Sequence, residues 1–208
     1  KLFGIRVELV GAPTAKTPCL FVSNHSSYLD IPVLGSLLPI SFVAKREVAD
    51  WPLYGWLAKL QRTLFIDRRS TQVKKGQTDL ALRLAAGDSL VLFPEGTSSD
   101  GARVLPFKPA LFQPILDQAA GQSLTVQPVT VVCTGLEHLP ADRVARQQYA
   151  WFGDMDLLPH LWAFCQLGSC VVRVVFHTPV ELDEHTDRKT LAAALERTVA
   201  SGLYRAAA

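Results

Sequence analysis

A histidine and an aspartate with the spacing of a catalytic pair follow an apolar stretch near the start of the chain. His25 and Asp30 lie five positions apart, directly after the strand-like residues 19–23. An imidazole, with an ordinary pKa near ~6.5, is the side chain best matched to removing a proton from a hydroxyl near neutral pH. A carboxylate bonded to the other ring nitrogen would fix the tautomer and stabilise the imidazolium. The pair therefore predicts a base and its orienting partner; the simpler alternative is a loop histidine followed by a helix-capping aspartate.

The sequence between the two residues predicts a turn, because a regular helix would separate them. Five positions along a helix place two side chains roughly 140° apart. We therefore predict a buried strand over 19–23, a turn over 23–27 and a short helix over 31–38. Asp30 would lie near the start of that helix, where Pro32 is tolerated in the first turn.

Apolar runs of strand length alternate with helical patterns along the rest of the chain. The predicted strands are 3–10, 19–23, 40–44, 63–66, 89–93, 124–133 and 170–178, and the predicted helices are 31–38, 52–60, 70–86, 107–118, 154–165 and 188–203. Continuous apolar strands that alternate with helices indicate a buried sheet. We therefore predict a single-domain α/β sandwich over 1–208, with a largely parallel or mixed central sheet flanked by helices.

Three predicted strands end in polar residues that a core would not need. The residues that follow them are His25 and Asp30 after 19–23, Asp67 to Arg69 after 63–66, and Glu95 to Ser99 after 89–93. In an open α/β sheet, ligands bind outside the carboxyl ends of the strands. If these strands are parallel, one crevice brings the three groups together.

Composition narrows the classes of partner. The chain has 208 residues, 49% of them apolar, and a net charge of +2, which gives no strong global field and no reason to expect a nucleic-acid partner. Residues 45–75 hold eight basic and three acidic residues, a local net charge of +5 that suits an anionic partner.

No signal peptide and no apolar run of transmembrane length are present. The chain opens in strand-like alternation, so we expect an N-terminal, membrane-anchoring segment before Lys1.

The cysteines and histidines do not predict a metal site. Four cysteines occur, at Cys19, Cys133, Cys165 and Cys170. They form no Cys-x-x-Cys pair and have no zinc-like spacing with the five histidines. We therefore predict free, buried thiols in a reducing compartment, with neither a metal nor another cofactor.

Four short blocks, taken in order, resemble those of a known enzyme family. They are Asn24-His25-x4-Asp30, Phe65-Ile66-Asp67-Arg68, Phe93-Pro94-Glu95-Gly96-Thr97 and Val126-Gln127-Pro128-Val129. In this order they resemble the blocks of the glycerolipid acyltransferases that acylate 1-acylglycerol-3-phosphate. The resemblance implies that His25 is the general base and Asp30 its orienter. It further implies that the substrate-binding residues are Asn24, Arg68, Glu95, Gly96 and Thr97.

The same resemblance implies the partners and the location. The acyl donor would be a thioester of acyl carrier protein or coenzyme A, and the acceptor would be a lysolipid with a free hydroxyl. Direct attack of that hydroxyl on the thioester needs no covalent intermediate, whereas an acyl-enzyme on Ser26, Ser27 or a cysteine is the alternative route. The enzyme would work at the membrane surface, on the cytoplasmic face of the inner membrane, peripheral or anchored. A non-catalytic peripheral lipid-binding protein is the alternative from another functional class.

One departure from the family pattern concerns the acceptor. The third block commonly continues Thr-Arg-Ser, but Ser98 follows Thr97 here, and a serine cannot replace the charged fork that an arginine offers to phosphate. The cations that could compensate are Arg68, Arg69, Arg103 and Lys108. We therefore expect 1-acylglycerol-3-phosphate as acceptor, with lyso-ornithine lipid as the alternative.

Aromatic residues beside cations suggest where a membrane could bind. Trp51, Tyr54 and Trp56 are flanked by the basic residues Lys45, Arg46, Lys59 and Arg62. Such a stripe suits either a protein core or a membrane interface. The same two interpretations hold for residues 157–164, which include Trp162.

Overall fold

Parallel and antiparallel strands form one sheet at the centre of the protein. The computed structural model describes residues 4–51, 54–66, 79–119, 124–182 and 186–205. Within these residues the strand order is β1-β8-β6-β2-β5-β3-β4, and β7 and β9 each pair with β6. The strands are β1 Ile5–Val10, β2 Cys19–Ser23, β3 Ser41–Lys45, β4 Leu64–Ile66, β5 Leu90–Leu92, β6 Thr125–Leu136, β7 Leu139–Pro140, β8 Cys170–Phe176 and β9 Val180–Glu181.

Helices cover the sheet. They are α1 Asp30–Gly35, α2 Tyr54–Leu60, α3 over the described residues 79–85, α4 Gln113–Ala119, α5 Arg146–Tyr149, α6 Leu157–Gln166 and α7 Arg188–Arg205. Short 3-10 turns occupy Arg46–Asp50 and Pro109–Leu111. In the described part of the chain, no helix combines the length and the apolar character that crossing a bilayer requires.

The central strand β2 shows why the sheet is sandwiched. Every residue of β2 is buried. Successive side chains of a strand point to opposite faces, and Phe21 accordingly joins one hydrophobic cluster while Leu20 and Val22 join the other. The first cluster includes Leu34 of α1, and the second includes Val199 of α7. The two clusters confirm the predicted α/β sandwich with a buried central sheet.

Strand direction places several strand ends at one edge. β2 is parallel to β5 and β6, and β3 is parallel to β5 and β4, so the carboxyl ends of these five strands share an edge. β8 runs antiparallel to β6, which makes the sheet mixed. The residues after β2 and after β5 therefore lie close together, as the crevice prediction required.

Some elements differ from the sequence-based prediction. α1 ends at Gly35 rather than at residue 38, and α5, β7 and β9 were not predicted. The predicted helix over 70–86 is described only from residue 79, where it is helical to residue 85. The cysteines are free as predicted, but Cys165 is exposed, so the prediction of four buried thiols is wrong there. Cys165 is one of the exposed residues of α6, whereas Phe164 beside it is buried.

Candidate active site

The turn between β2 and α1 brings His25 and Asp30 into contact. Nδ1 of His25 lies 2.9 Å from Oδ2 of Asp30. The Asp30 side chain is fully buried, whereas 21% of the His25 side chain is exposed. Because Asp30 engages Nδ1, Nε2 is the ring nitrogen that remains for a substrate proton. The arrangement is that of a base held by a carboxylate.

Four donors satisfy the buried carboxylate of Asp30. Besides His25, the backbone N–H groups of Ser26 and Ser27 donate to Oδ2 over 2.8 and 3.0 Å. The hydroxyl of Tyr149 donates to Oδ1 over 2.8 Å. Burying a carboxylate is costly unless such partners replace water. The N-cap position of α1 is Leu29, with no side-chain cap, so the alternative of Asp30 as a helix cap is wrong.

Residues of the third sequence block and of the loop after it hold His25 in place. The ring of His25 stacks on Phe93, with 4.2 Å between the ring centroids and 22° between the planes. The backbone N–H of Ser99 donates to the carbonyl oxygen of His25 over 2.9 Å. Packing and backbone hydrogen bonds thus fix the histidine in position, which is what a preorganised catalytic base needs.

The carboxyl group of Glu95 stabilises this turn through hydrogen bonds to the backbone. Its Oε1 accepts the backbone N–H of His25 over 2.9 Å, and its Oε2 accepts that of Leu105 over 3.0 Å. Only 2% of the residue is exposed, and burial raises its pKa to about 8 even though both hydrogen bonds act in the opposite direction. A direct contact between Glu95 and an acceptor stays a prediction, whereas its observed contacts are with the protein backbone.

Asn24 also binds the backbone of the protein. Its Nδ2 donates to the carbonyl oxygen of Val131 over 2.9 Å, and its Oδ1 accepts the N–H of Val131 over 2.8 Å. Only 2% of Asn24 is exposed. Asn24 therefore extends the pairing between β2 and β6 by one residue, and its predicted role in substrate binding draws no support from these contacts.

The remaining predicted substrate residues lie in different settings. Gly96 adopts φ +66°, a left-handed conformation that favours glycine, and Thr97 beside it is exposed. Lys108 is exposed, and its backbone N–H donates to the carbonyl oxygen of Pro94 over 3.0 Å. Arg68 lies outside the described residues. The structure therefore brings the first and third blocks together, and Lys108 is joined to the third block through its backbone.

Tyr149 is a site residue that sequence reasoning missed. It lies on α5, is buried, and packs edge-on against Phe164 with ring centroids 6.1 Å apart. Burial and the charge of Asp30 raise its pKa well above the ordinary value, which keeps its hydroxyl protonated as a donor. The hydroxyl of Tyr28, in the turn itself, lies 3.0 Å from Nδ1 of His160 on α6.

A groove with a largely apolar lining separates α5 from α6. It has a volume of about 690 Å³ and is lined by Val144, Gln147, Gln148, Phe152, Met155, Asp156, Pro159, His160, Ala163, Phe164 and Leu167. This volume lies within the range of ligand pockets, and the lining suits a hydrocarbon chain. Among the described residues, no group of three or more His, Cys, Asp or Glu side chains could hold a metal ion.

Comparison with known proteins assigns the chain to a family. The family model described as "Acyltransferase" matches residues 5–132. The chain belongs to the acyltransferase family. The match includes all four blocks, whereas α5 with Tyr149 lies beyond it.

Individual relatives agree with this assignment. The chain is 43% identical to a lyso-ornithine lipid O-acyltransferase of Brucella abortus, over 99% of this chain and 79% of the relative. It is 32% identical to a 1-acyl-sn-glycerol-3-phosphate acyltransferase of Neisseria meningitidis, over 91% of this chain and 72% of the relative. The crystal structure of the 1-acyl-sn-glycerophosphate acyltransferase PlsC from Thermotoga maritima superimposes with a TM-score of 0.69 at 22% identity, covering 96% of this chain and 71% of that one. This last likeness concerns the fold.

Proposed function

We propose that the protein transfers a fatty acyl group from a thioester to the free hydroxyl of a lysolipid. The observation that carries the proposal is the partly exposed His25 held by the fully buried Asp30. Nε2 of His25 takes the hydroxyl proton while the oxygen attacks the thioester carbonyl. The C–S bond then breaks, and the departing thiolate receives the proton from the imidazolium. The products are an ester and a free thiol.

Direct attack is favoured over an acyl-enzyme route. Only 3% of Ser26 and none of Ser27 is exposed, and the backbone N–H groups of both serines hold Asp30. A nucleophilic serine must instead reach both a base and the substrate. Sequential rather than ping-pong kinetics are therefore expected for the two substrates.

The proposal gives equal weight to two acceptors, 1-acylglycerol-3-phosphate and lyso-ornithine lipid. The family's head-group arginine at Arg68 favours 1-acylglycerol-3-phosphate, and the serine at position 98 favours lyso-ornithine lipid. Relatives with both names align along most of the chain. A competition between the two lysolipids in mixed micelles, at one concentration of acyl donor, measures the ratio of their kcat/KM values. The same assay with acyl-coenzyme A and with acyl carrier protein identifies the donor.

The dyad is tested by comparing transfer with binding. His25→Ala should abolish transfer, and Asp30→Asn should lower kcat by at least about a hundredfold, because the imidazole loses its orienting charge. Binding of both variants to vesicles should be unchanged. Full transfer by His25→Ala would contradict the mechanism. Absence of transfer by the wild type, with either donor and either acceptor, would favour a non-catalytic lipid-binding protein.

We also propose that the enzyme binds peripherally to the cytoplasmic face of the inner membrane, where thioester donors are available. The surface we assign to lipid is the apolar face of α2, formed by Trp56, Leu57 and Leu60, which are 60%, 46% and 62% exposed. Lys59 is exposed beside them and suits anionic head groups. Trp51 of the original candidate stripe instead packs edge-on against Trp151, 5.6 Å between centroids.

The lipid surface is tested with a matched variant on another helix. Trp56→Ser combined with Leu60→Ser should lower binding to anionic vesicles. Leu82→Ser removes a side chain that is equally exposed, at 60%, from α3 and should leave binding unchanged. Equal binding by all three proteins would show that the membrane is bound elsewhere.

A further inference from the structure

The side chain of Arg146 is largely buried, and its Nε–H has no hydrogen-bond partner among the described residues. Arg146 begins α5, and only 6% of it is exposed. Its Nε–H is buried and donates to no acceptor within the described residues. Buried polar atoms in proteins are nearly always satisfied, and a buried charge without a counter-ion is strongly unfavourable. A largely buried guanidinium with an unpaired Nε–H is suited to bind an anionic group.

Arg146 lies beside the candidate catalytic pair. It precedes Tyr149 by three residues on α5, so the two side chains project from one face of the helix. Tyr149 uses that face to reach Asp30. Arg146 therefore extends from the helix face that borders the dyad.

Arg146 also contacts the loop of the third block. A Cβ atom at Gly101 would lie 3.5 Å from the carbonyl oxygen and 3.7 Å from the Cβ of Arg146. Two residues earlier in this loop, the N–H of Ser99 donates to the carbonyl oxygen of His25. This loop also contains Ser98, at the position where the family resemblance expects an arginine. The backbone and Cβ of Arg146 thus lie beside the loop in which a serine occupies the position of the expected arginine.

We propose that Arg146 binds the oxyacid anion of the acceptor head group, either a phosphate or a carboxylate. This inference rests on the proposed function. A guanidinium presents a planar fork of donors that matches both groups. Arg103 and Lys108, the other candidate cations near this loop, are exposed, so water screens their charges more strongly than that of Arg146.

The nearest alternative partner is the thiol of Cys133. A hydrogen bond from Cys170 and, to a smaller extent, the charge of Arg146 lower the pKa of Cys133. The two sulfur atoms lie 3.9 Å apart and are buried. If Arg146 served only to neutralise a Cys133 thiolate, removal of that thiol would have the same consequences as removal of the arginine. Cys133→Ala is therefore included in the test.

The kinetic test separates the acceptor from the donor. Loss of one charge-assisted contact predicts that Arg146→Met raises the KM for the acceptor by about ten- to a hundredfold, with the KM for the donor unchanged. Arg146→Lys should recover part of this loss, because it restores the charge without the fork. Arg143→Gln, which removes an exposed arginine three residues earlier, and Cys133→Ala should both keep the wild-type KM. A change confined to the donor KM would assign the anion to the donor's phosphate groups and overturn the proposal.

A thermal test needs no turnover and therefore stands if the proposed function fails. In the absence of ligand, Arg146→Met should raise Tm, because it removes a largely buried charge with an unpaired Nε–H. Inorganic phosphate, or acetate as a carboxylate probe, should raise the Tm of wild type and of His25→Ala but not that of Arg146→Met. A lower Tm for Arg146→Met, with no loss of any anion effect, would show that the arginine is purely structural and would overturn the proposal.

Discussion

Tyr149 and Tyr28 offer a matched pair of substitutions that isolates the contact to Asp30. Each hydroxyl forms one hydrogen bond at the same turn, from Tyr149 to Asp30 over 2.8 Å and between Tyr28 and His160 over 3.0 Å. Tyr149→Phe and Tyr28→Phe each remove a single oxygen atom. Only the first removes a donor from the carboxylate that holds His25. Any difference between the two variants therefore reports on Asp30.

The structure sets the expected magnitudes. A hydrogen bond to a charged group contributes about 1.5–3 kcal/mol, and one between neutral groups contributes about 0.5–1.5 kcal/mol. Burial lowers the pKa of His160, so its bond with Tyr28 is of the neutral type at pH 7. If about half of the Tyr149 contribution is lost from the transition state, kcat should fall about three- to tenfold. Tyr28→Phe should change kcat by less than about twofold.

Tyr149 keeps its hydroxyl proton near neutral pH, because burial and the charge of Asp30 raise its pKa, so it remains a donor in the assay. Each variant is measured beside urea unfolding to establish that the protein is folded. The reasoning is refuted if Tyr149→Phe and Tyr28→Phe show the same kcat.

Two further predictions concern the stability of the fold. Glu95 has its pKa raised by burial to about 8, so the folded state holds a proton that the unfolded state releases above about pH 4.5. The free energy of unfolding should therefore fall by up to about 1.4 kcal/mol per pH unit from about pH 5 to 8. In urea titrations, Glu95→Gln should make this decrease with pH shallower. Equal slopes in the wild type and the variant would rule out a protonated Glu95. A Cβ at Gly202 would overlap Oγ1 of Thr130 and lie 2.8 Å from Nε2 of His177, so Gly202→Ala should destabilise by about 1–3 kcal/mol. Gly168→Ala is the control, since a Cβ there meets nothing within 4 Å, and an equal loss in both variants would disprove the steric cause.

Local sequence was sufficient to predict β2 and the turn that follows it. The apolar residues of β2 are buried on both faces of the sheet, and the observed bounds Cys19–Ser23 equal the predicted ones. The crevice prediction is confirmed for the residues after β2 and β5, because the carboxyl ends of parallel strands meet at one edge, whereas Asp67 to Arg69 lie outside the described residues. These features follow from periodicity over a few residues and from a general rule of sheet topology.

Arg146 and Tyr149 could not be found in this way. They lie on a four-residue helix in a segment without strong periodicity, and 119 positions separate Tyr149 from the carboxylate that it contacts. Neither residue belongs to any of the four blocks. Contacts of this range depend on how α5 packs against β6, which no local pattern specifies.

The roles of Asn24 and Glu95 show why a motif identifies residues more securely than it identifies their functions. Both were assigned to substrate binding, yet each has 2% exposure and both bind backbone groups around His25. A turn that buries so many polar groups is stable only if every one of them is paired, because each unsatisfied group costs about 1–3 kcal/mol. Residues that pair these groups are therefore as necessary to the site as the base itself, because their observed contacts are with the backbone that positions it. Exposure separates the two kinds of residue, since a group that takes a proton from a substrate must be reachable, as the His25 ring is.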